Sequence, residues 1–168
     1  PHGELLSAEV DADGDGSAEE RVVYAYDVMG RRVSRSDADG WTVFFYNDPL
    51  RPGLMTDSYR TADPLGGGGE WTSYLYDDRG ILFALSREGE HHAVLSDQVG
   101  SPIAVMNAGG ALIKSRAYSP YGEVLSDTNP GFDLDVGFAG GLQDPVTGLV
   151  RFGARDYDPV SGRWLSAD

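Results

Sequence analysis

Residues 137–168 read GFAGGLQDPVTGLVRFGARDYDPVSGRWLSAD. The stretch holds Asp-Pro-Val-x-Gly twice, at residues 144–148 and 158–162. Each copy has the chemistry of a tight turn: the Asp carboxylate can accept from backbone amides just ahead of it, Pro presets φ, and Gly tolerates positive φ. The residues between the copies, from Leu149 to Tyr157, mix apolar, aromatic and charged side chains as strands do. Arg163-Trp164-Leu165 follows the second turn. The pattern is a β-meander, strand against turn against strand.

Working outward, a looser form of this unit recurs. Tyr24-x-Tyr26-Asp27-x-x-Gly30 is repeated as Tyr74-x-Tyr76-Asp77-x-x-Gly80, and Asp97-x-x-Gly100 keeps the Asp-to-Gly spacing. Tyr118-Ser119-Pro120-Tyr121-Gly122 is a fourth form, and Asn107-Ala108-Gly109-Gly110 is a hairpin signal. No stretch shows the period of a long amphipathic helix. The expected fold is all-β: about six antiparallel hairpin repeats in one curved sheet, each completing its core against its neighbours. Three regions are expected. Residues 1–46 carry N-terminal hairpins with an acidic loop, 47–70 a Pro/Gly-rich irregular connection, and 71–168 the remaining repeats. Unpaired edges of such a strip predict self-association, or a lid made from the Asn47 to Gly69 loop.

The composition narrows the function. Net charge is −14, from 27 acidic and 13 basic residues, which argues against a nucleic-acid partner. Cysteine is absent, so disulfide and thiol chemistry are excluded. No apolar run reaches the ~20 residues of a membrane span. The chain starts at Pro1 rather than Met and is expected to be a piece of a longer one.

Several residues invite a sharper reading. Asp11, Asp13 and Asp15, followed by Gly16, place carboxylates at alternate positions, and Glu19 or Glu20 could close a Ca²⁺ site. Val22 stands where an EF-hand needs its bidentate Glu, so the loop is not an EF-hand, and an acidic turn that binds nothing tightly is the competing reading. Gly66 to Gly69 lacks the Lys-Ser/Thr of a phosphate loop. His91 and His92 are adjacent on a strand and face opposite sides, so with His2 they make no zinc set. Alternate tyrosines are expected to pack in the core. Asp144 and Asp158 are expected to cap their own turns rather than to form an acid pair.

Taken in order, these motifs resemble the RHS/YD-repeat family. Tyr26-Asp27-x-x-Gly30 and Tyr76-Asp77-x-x-Gly80 resemble YD repeats. Ser96 to Pro102, Tyr118 to Glu123, Phe138 to Gly140, Asp144 to Leu149, and Arg155 to Asp168 resemble the RHS repeat-associated core. The family includes bacterial RHS toxins, the C components of Tc toxins and, more distantly, teneurins. The resemblance implies an exported or cell-surface protein whose repeats spiral into a hollow β-shell around a C-terminal effector, with the core as plug. It also implies an aspartyl autoprotease in bacterial members. Only Asp168 matches that protease, as half of a carboxylate dyad, so this chain is expected to be structural and not to cleave. The implied partners are neighbouring repeats and the effector. A calcium-stiffened extracellular scaffold without cargo is the alternative.

Overall fold

The computed structural model describes residues 4–11 and 13–166. Eleven strands form one antiparallel sheet in sequence order. They are β1 (Ser7–Val10), β2 (Glu20–Tyr26), β3 (Arg32–Asp37), β4 (Gly40–Phe45), β5 (Asp57–Thr61) and β6 (Glu70–Tyr76), then β7 (Leu82–Arg87), β8 (Glu90–Ser96), β9 (Pro102–Asn107), β10 (Leu112–Tyr118) and β11 (Val124–Asp127). A second sheet of four short strands follows: β12 (Leu142–Gln143), β13 (Val150–Phe152), β14 (Arg155–Asp158) and β15 (Arg163–Trp164). The all-β repeat fold is as expected. The connection at 47–70 departs from its irregular reading, because it contains β5, paired to both neighbours. Its Asp-Ser-Tyr-Arg-Thr lacks apolar alternation because its inward residues are polar and meet charged partners.

Five turns share one mechanism. Asp27, Asp77, Asp97, Asn107 and Ser119 each donate N–H to the carbonyl four residues on and accept, at their own carbonyl, from the glycine three residues on. Their side-chain oxygens accept from the amides two and four residues on. The glycines sit at φ between 75° and 96°, where a Cβ is costly. Gly122 also lies against the Phe138 ring, into which a Cβ would project. Gly122→Ala is expected to cost about 2–4 kcal/mol, strain and overpacking combined. A urea midpoint unchanged from wild type would contradict this.

Behind all five turns the register slips by one residue. Tyr26 pairs Arg32 while Ala25 pairs Ser34, and the same step recurs at Tyr76/Leu82, Ser96/Pro102, Met106/Leu112 and Tyr118/Val124. The extra residues are Val33, Phe83, Ile103, Ile113 and Leu125. Such bulges bend the strand and increase its twist. They also change which residues share a face. Inward residues alternate at Val22 and Tyr24, or Thr72 and Tyr74, but are three apart at Arg32 and Arg35, Leu82 and Leu85, and Pro102 and Val105.

One face of the sheet is covered by the chain after β11. Leu134 and Val136 complete a core with Phe44, Met55, Tyr74, Leu82, Leu85, Val94 and Val105. A 3-10 turn at Phe138–Gly140 is fixed where the Ala139 amide donates to the hydroxyl of fully buried Ser101, 3.0 Å. The four short strands then pack beside it. Residues 128–164 are thus the plug and the eleven-stranded sheet the wall.

Candidate functional site

The wall and plug meet through buried charge. Asp144, in the turn between β12 and β13, is wholly buried. Its Oδ1 accepts from the amides of Val146 and Thr147, both 3.0 Å. Its Oδ2 accepts from the Tyr24 hydroxyl at 2.9 Å and faces Arg35 Nε at 3.3 Å and Arg32 Nη1 at 3.6 Å. Arg32 donates through Nη2 to Asp156 Oδ1, 2.9 Å, and Arg151 Nη1 donates to Asp156 Oδ2, 2.6 Å. Arg151 Nη2 returns to the wall at the Gly30 carbonyl, 2.7 Å. The Arg32 and Arg151 guanidinium groups lie over the Tyr24 and Tyr26 rings at 4.0 and 4.3 Å. Burial, and then the Asp144 charge, push the Tyr24 phenol well above its ordinary value.

A second lock lies further along the wall. Asp135 accepts from Ser58 Oγ at 2.7 Å, Tyr74 OH at 2.8 Å and Arg60 Nη2 at 2.6 Å. Burial, then the Asp135 charge, raise the Tyr74 phenol well above normal. A third lock ties the start of the plug. Lys114 Nζ donates to the Asn129 carbonyl at 2.6 Å and pairs with Asp127 at 2.7 Å, and Arg116 Nε donates to Asp127 at 2.9 Å. Burial would raise the Asp127 carboxyl, but its bonds from Lys114 and Arg116 outweigh that and hold it below the usual range.

This arrangement binds polypeptide to polypeptide. Asp144 and Asp156 are bridged by the Arg32 guanidinium, which reaches from the wall to both plug carboxylates. Asp158 stays in its own turn, accepting from the Val160 amide at 2.9 Å and the Ser161 hydroxyl at 2.6 Å. Capping therefore describes Asp158 fully and Asp144 only in part. Asp168 and His2 lie outside the described residues. His91 is exposed, while His92 is buried against Phe132, ring centroids 5.2 Å apart. In the acidic loop, carboxylate oxygens of Asp11, Asp13, Asp15 and Glu19 lie within 4.8 Å of one another, and Glu20 instead begins β2. Asp11 also accepts from the Gly14 and Gly16 amides, 2.6 and 2.9 Å.

Arg32, Asp135 and Asp156 were not legible as site residues, because each pairs with a residue at least 75 positions away. The tyrosines were legible as core, but their hydroxyls were not. Tyr26, Tyr46, Tyr76 and Tyr118 donate to the carbonyls of Leu5, Arg32, Met55 and Pro102, at 2.6 to 3.2 Å, tying each to an earlier segment.

The model of the teneurin YD-shell family matches residues 11–168. The chain belongs to that family. Mouse Teneurin-3 is 42% identical over 149 residues, covering 88% of this chain and 5% of Teneurin-3. Chicken Teneurin-1 is 43% identical over 147 residues, with 86% and 5% covered, and Drosophila melanogaster Teneurin-m is 36% identical, with 85% and 5% covered. This YD-shell chain therefore spans about a twentieth of its curated relatives, and teneurins are nearer to it than the motifs alone implied. Among solved structures, TcdB2-TccC3-TEV superposes with a TM-score of 0.72 at 20% identity, covering 99% of this chain and 8% of that one. The Photorhabdus luminescens Tc holotoxin pore gives the same score, identity and coverage. Both are likenesses of fold. The role of a YD-shell chain is structural: it forms shell wall. No helix among the described residues is long and apolar enough to cross a membrane.

Proposed function

We propose that this length of wall, with its plug, helps to enclose a polypeptide that follows the plug in the parent protein, outside the cell or on its surface. The supporting observation is the set of buried ion pairs that fasten the plug to the wall's inner face. A wall acts by exclusion, and its inner face here is occupied by the chain's own continuation, held by contacts too specific for a passing loop. The likeness to a Tc holotoxin shell supports the same reading. The parent chain tests it. A segment downstream of the plug should resist protease in the intact shell and become sensitive in the Asp144→Ala variant. Digestion in the intact shell as fast as that of the isolated segment would refute enclosure.

A second reading rests on the clustered oxygens of Asp11, Asp13, Asp15 and Glu19. An all-oxygen set of hard ligands suits Ca²⁺, which would offset their mutual repulsion and stiffen the β1–β2 hairpin. Calorimetry with Ca²⁺ should then show binding heat and a raised Tm. Absence of both removes the calcium-stiffened scaffold.

A further inference from the structure

The connection between β5 and β6 differs from every other long connection of the wall. Residues 62–68 are exposed without interruption, and Leu65 at their centre is 96% exposed. The loop is pinned at its two ends. Thr61 Oγ1 donates to the Asp63 carbonyl at 3.0 Å, and the Gly69 amide donates to the Tyr59 hydroxyl at 2.9 Å. Between the pins the bonds are local, from the Leu65 amide to Asp63 Oδ1 at 2.9 Å and from the Gly66 amide to the Asp63 carbonyl at 3.3 Å. Gly67 and Gly68 have positive φ and nothing within 4 Å of where a Cβ would stand.

The 46–56 connection is tied down by contrast. Arg51 binds Asp48 and the Asp77 carbonyl at 2.7 and 2.6 Å, and Met55 is buried in the core. The acidic β1–β2 loop offers no apolar side chain between Asp11 and Glu20 larger than alanine. An endopeptidase needs a loop it can draw into its cleft at small cost and one side chain for its specificity pocket. Leu50, 89% exposed, lies in the connection that Arg51 ties down; among the described residues, only 62–68 combine a glycine-rich backbone held by local bonds with a large exposed apolar residue.

We propose that this loop is a processing site for an endopeptidase with an apolar S1 pocket, cutting after Leu65. Water adds across the Leu65–Gly66 amide, leaving a carboxylate on Leu65 and an amine on Gly66. The two pieces, residues 1–65 and 66–168, remain one particle. The β5–β6 ladder still joins them from Asp57 with Ser73 to Arg60 with Glu70. Asp144 still binds Tyr24 and Arg32, Asp135 still binds Ser58 and Arg60, and Arg151 still binds the Gly30 carbonyl. Cutting the chain thus transfers the hold between its two parts from the covalent backbone to the wall–plug locks.

Brief digestion of the chain with subtilisin, whose S1 pocket is broad and apolar, tests this by intact mass and gel filtration. The first cut should fall after Leu65, and both pieces should elute together at the size of the uncut chain. Leu65→Asp should slow that cut by about tenfold or more, the scale of losing an apolar specificity contact, with Tm unchanged. A first cut elsewhere, an unchanged rate in Leu65→Asp, or separation of the nicked wild-type pieces would each overturn the proposal.

Discussion

Asp144→Ala is expected to release the plug at a cost of about 3–5 kcal/mol, the scale of breaking a buried ion pair by removing one partner. The variant takes from Arg32 and Arg35 one of their two carboxylate partners, leaving them Asp156 and Asp37, and removes the acceptor for the Tyr24 hydroxyl and for two turn amides. Against a typical domain stability of about 5–15 kcal/mol, that loss is large. Amide exchange should show plug strands β13 and β14 losing protection while β6 to β9 keep theirs, since the core there rests on Leu82, Leu85, Val94 and Val105. Asp144→Asn separates the two roles of the side chain. It retains an acceptor for the Val146 and Thr147 amides but not the charge, so a loss close to that of Ala would assign the effect to the ion pairs. The locks are not free of cost even in the wild type, because the Nε atoms of Arg32 and Arg151 have no hydrogen-bond partner among the described residues. Equal loss of protection along the whole wall in Asp144→Ala would refute a local latch.

The second large effect is expected in alkali. Burial raises the phenols of Tyr24, Tyr26, Tyr46, Tyr74, Tyr76 and Tyr118, with Tyr46 pushed up to about 12. A phenol whose value is higher folded than unfolded contributes stability that is complete below the unfolded value, about 10. That contribution declines as pH rises from there toward the folded value. The wall should therefore unfold cooperatively above about pH 10, and phenolate absorbance should rise in the same step as the sheet signal falls in circular dichroism. Smooth titration of these six phenols with the sheet intact would show that their burial is not what holds them neutral.

Much of the wall could be read from local chemistry. An Asp followed three places on by Gly specifies the turn, because the same carboxylate captures two amides and the glycine takes the left-handed position; Asp27, Asp77 and Asp97 behave alike. What escaped was set by distant partners. The Pro/Gly-rich flanks made β5 look like loop, and Ser58 and Arg60 gave it no apolar alternation because their complement is Asp135, far along the chain. Arg32 carries a charge two residues after a turn glycine, yet it is almost fully buried. The three-residue spacing of Arg32 and Arg35 was a usable clue once a bulge is assumed, since Leu82 and Leu85, and Pro102 and Val105, follow the same spacing with apolar residues. Nothing local distinguishes Asp144 from Asp158, which share a motif and differ only in what the tertiary fold brings to them.

The register slip behind each Tyr-Asp turn bears on how such walls can grow. A strand with one residue more than its partner would, on its own, throw all later side chains onto the wrong face. Here the extra residue is placed inside the hairpin, so β6 and β8 resume the two-residue alternation with Thr72 and Tyr74, and with His92 and Val94, facing inward. The offset opens and closes within one unit and is not inherited by the next. Hairpins can therefore be added to or deleted from the row as whole tiles, with wall length free to vary while inside and outside stay assigned.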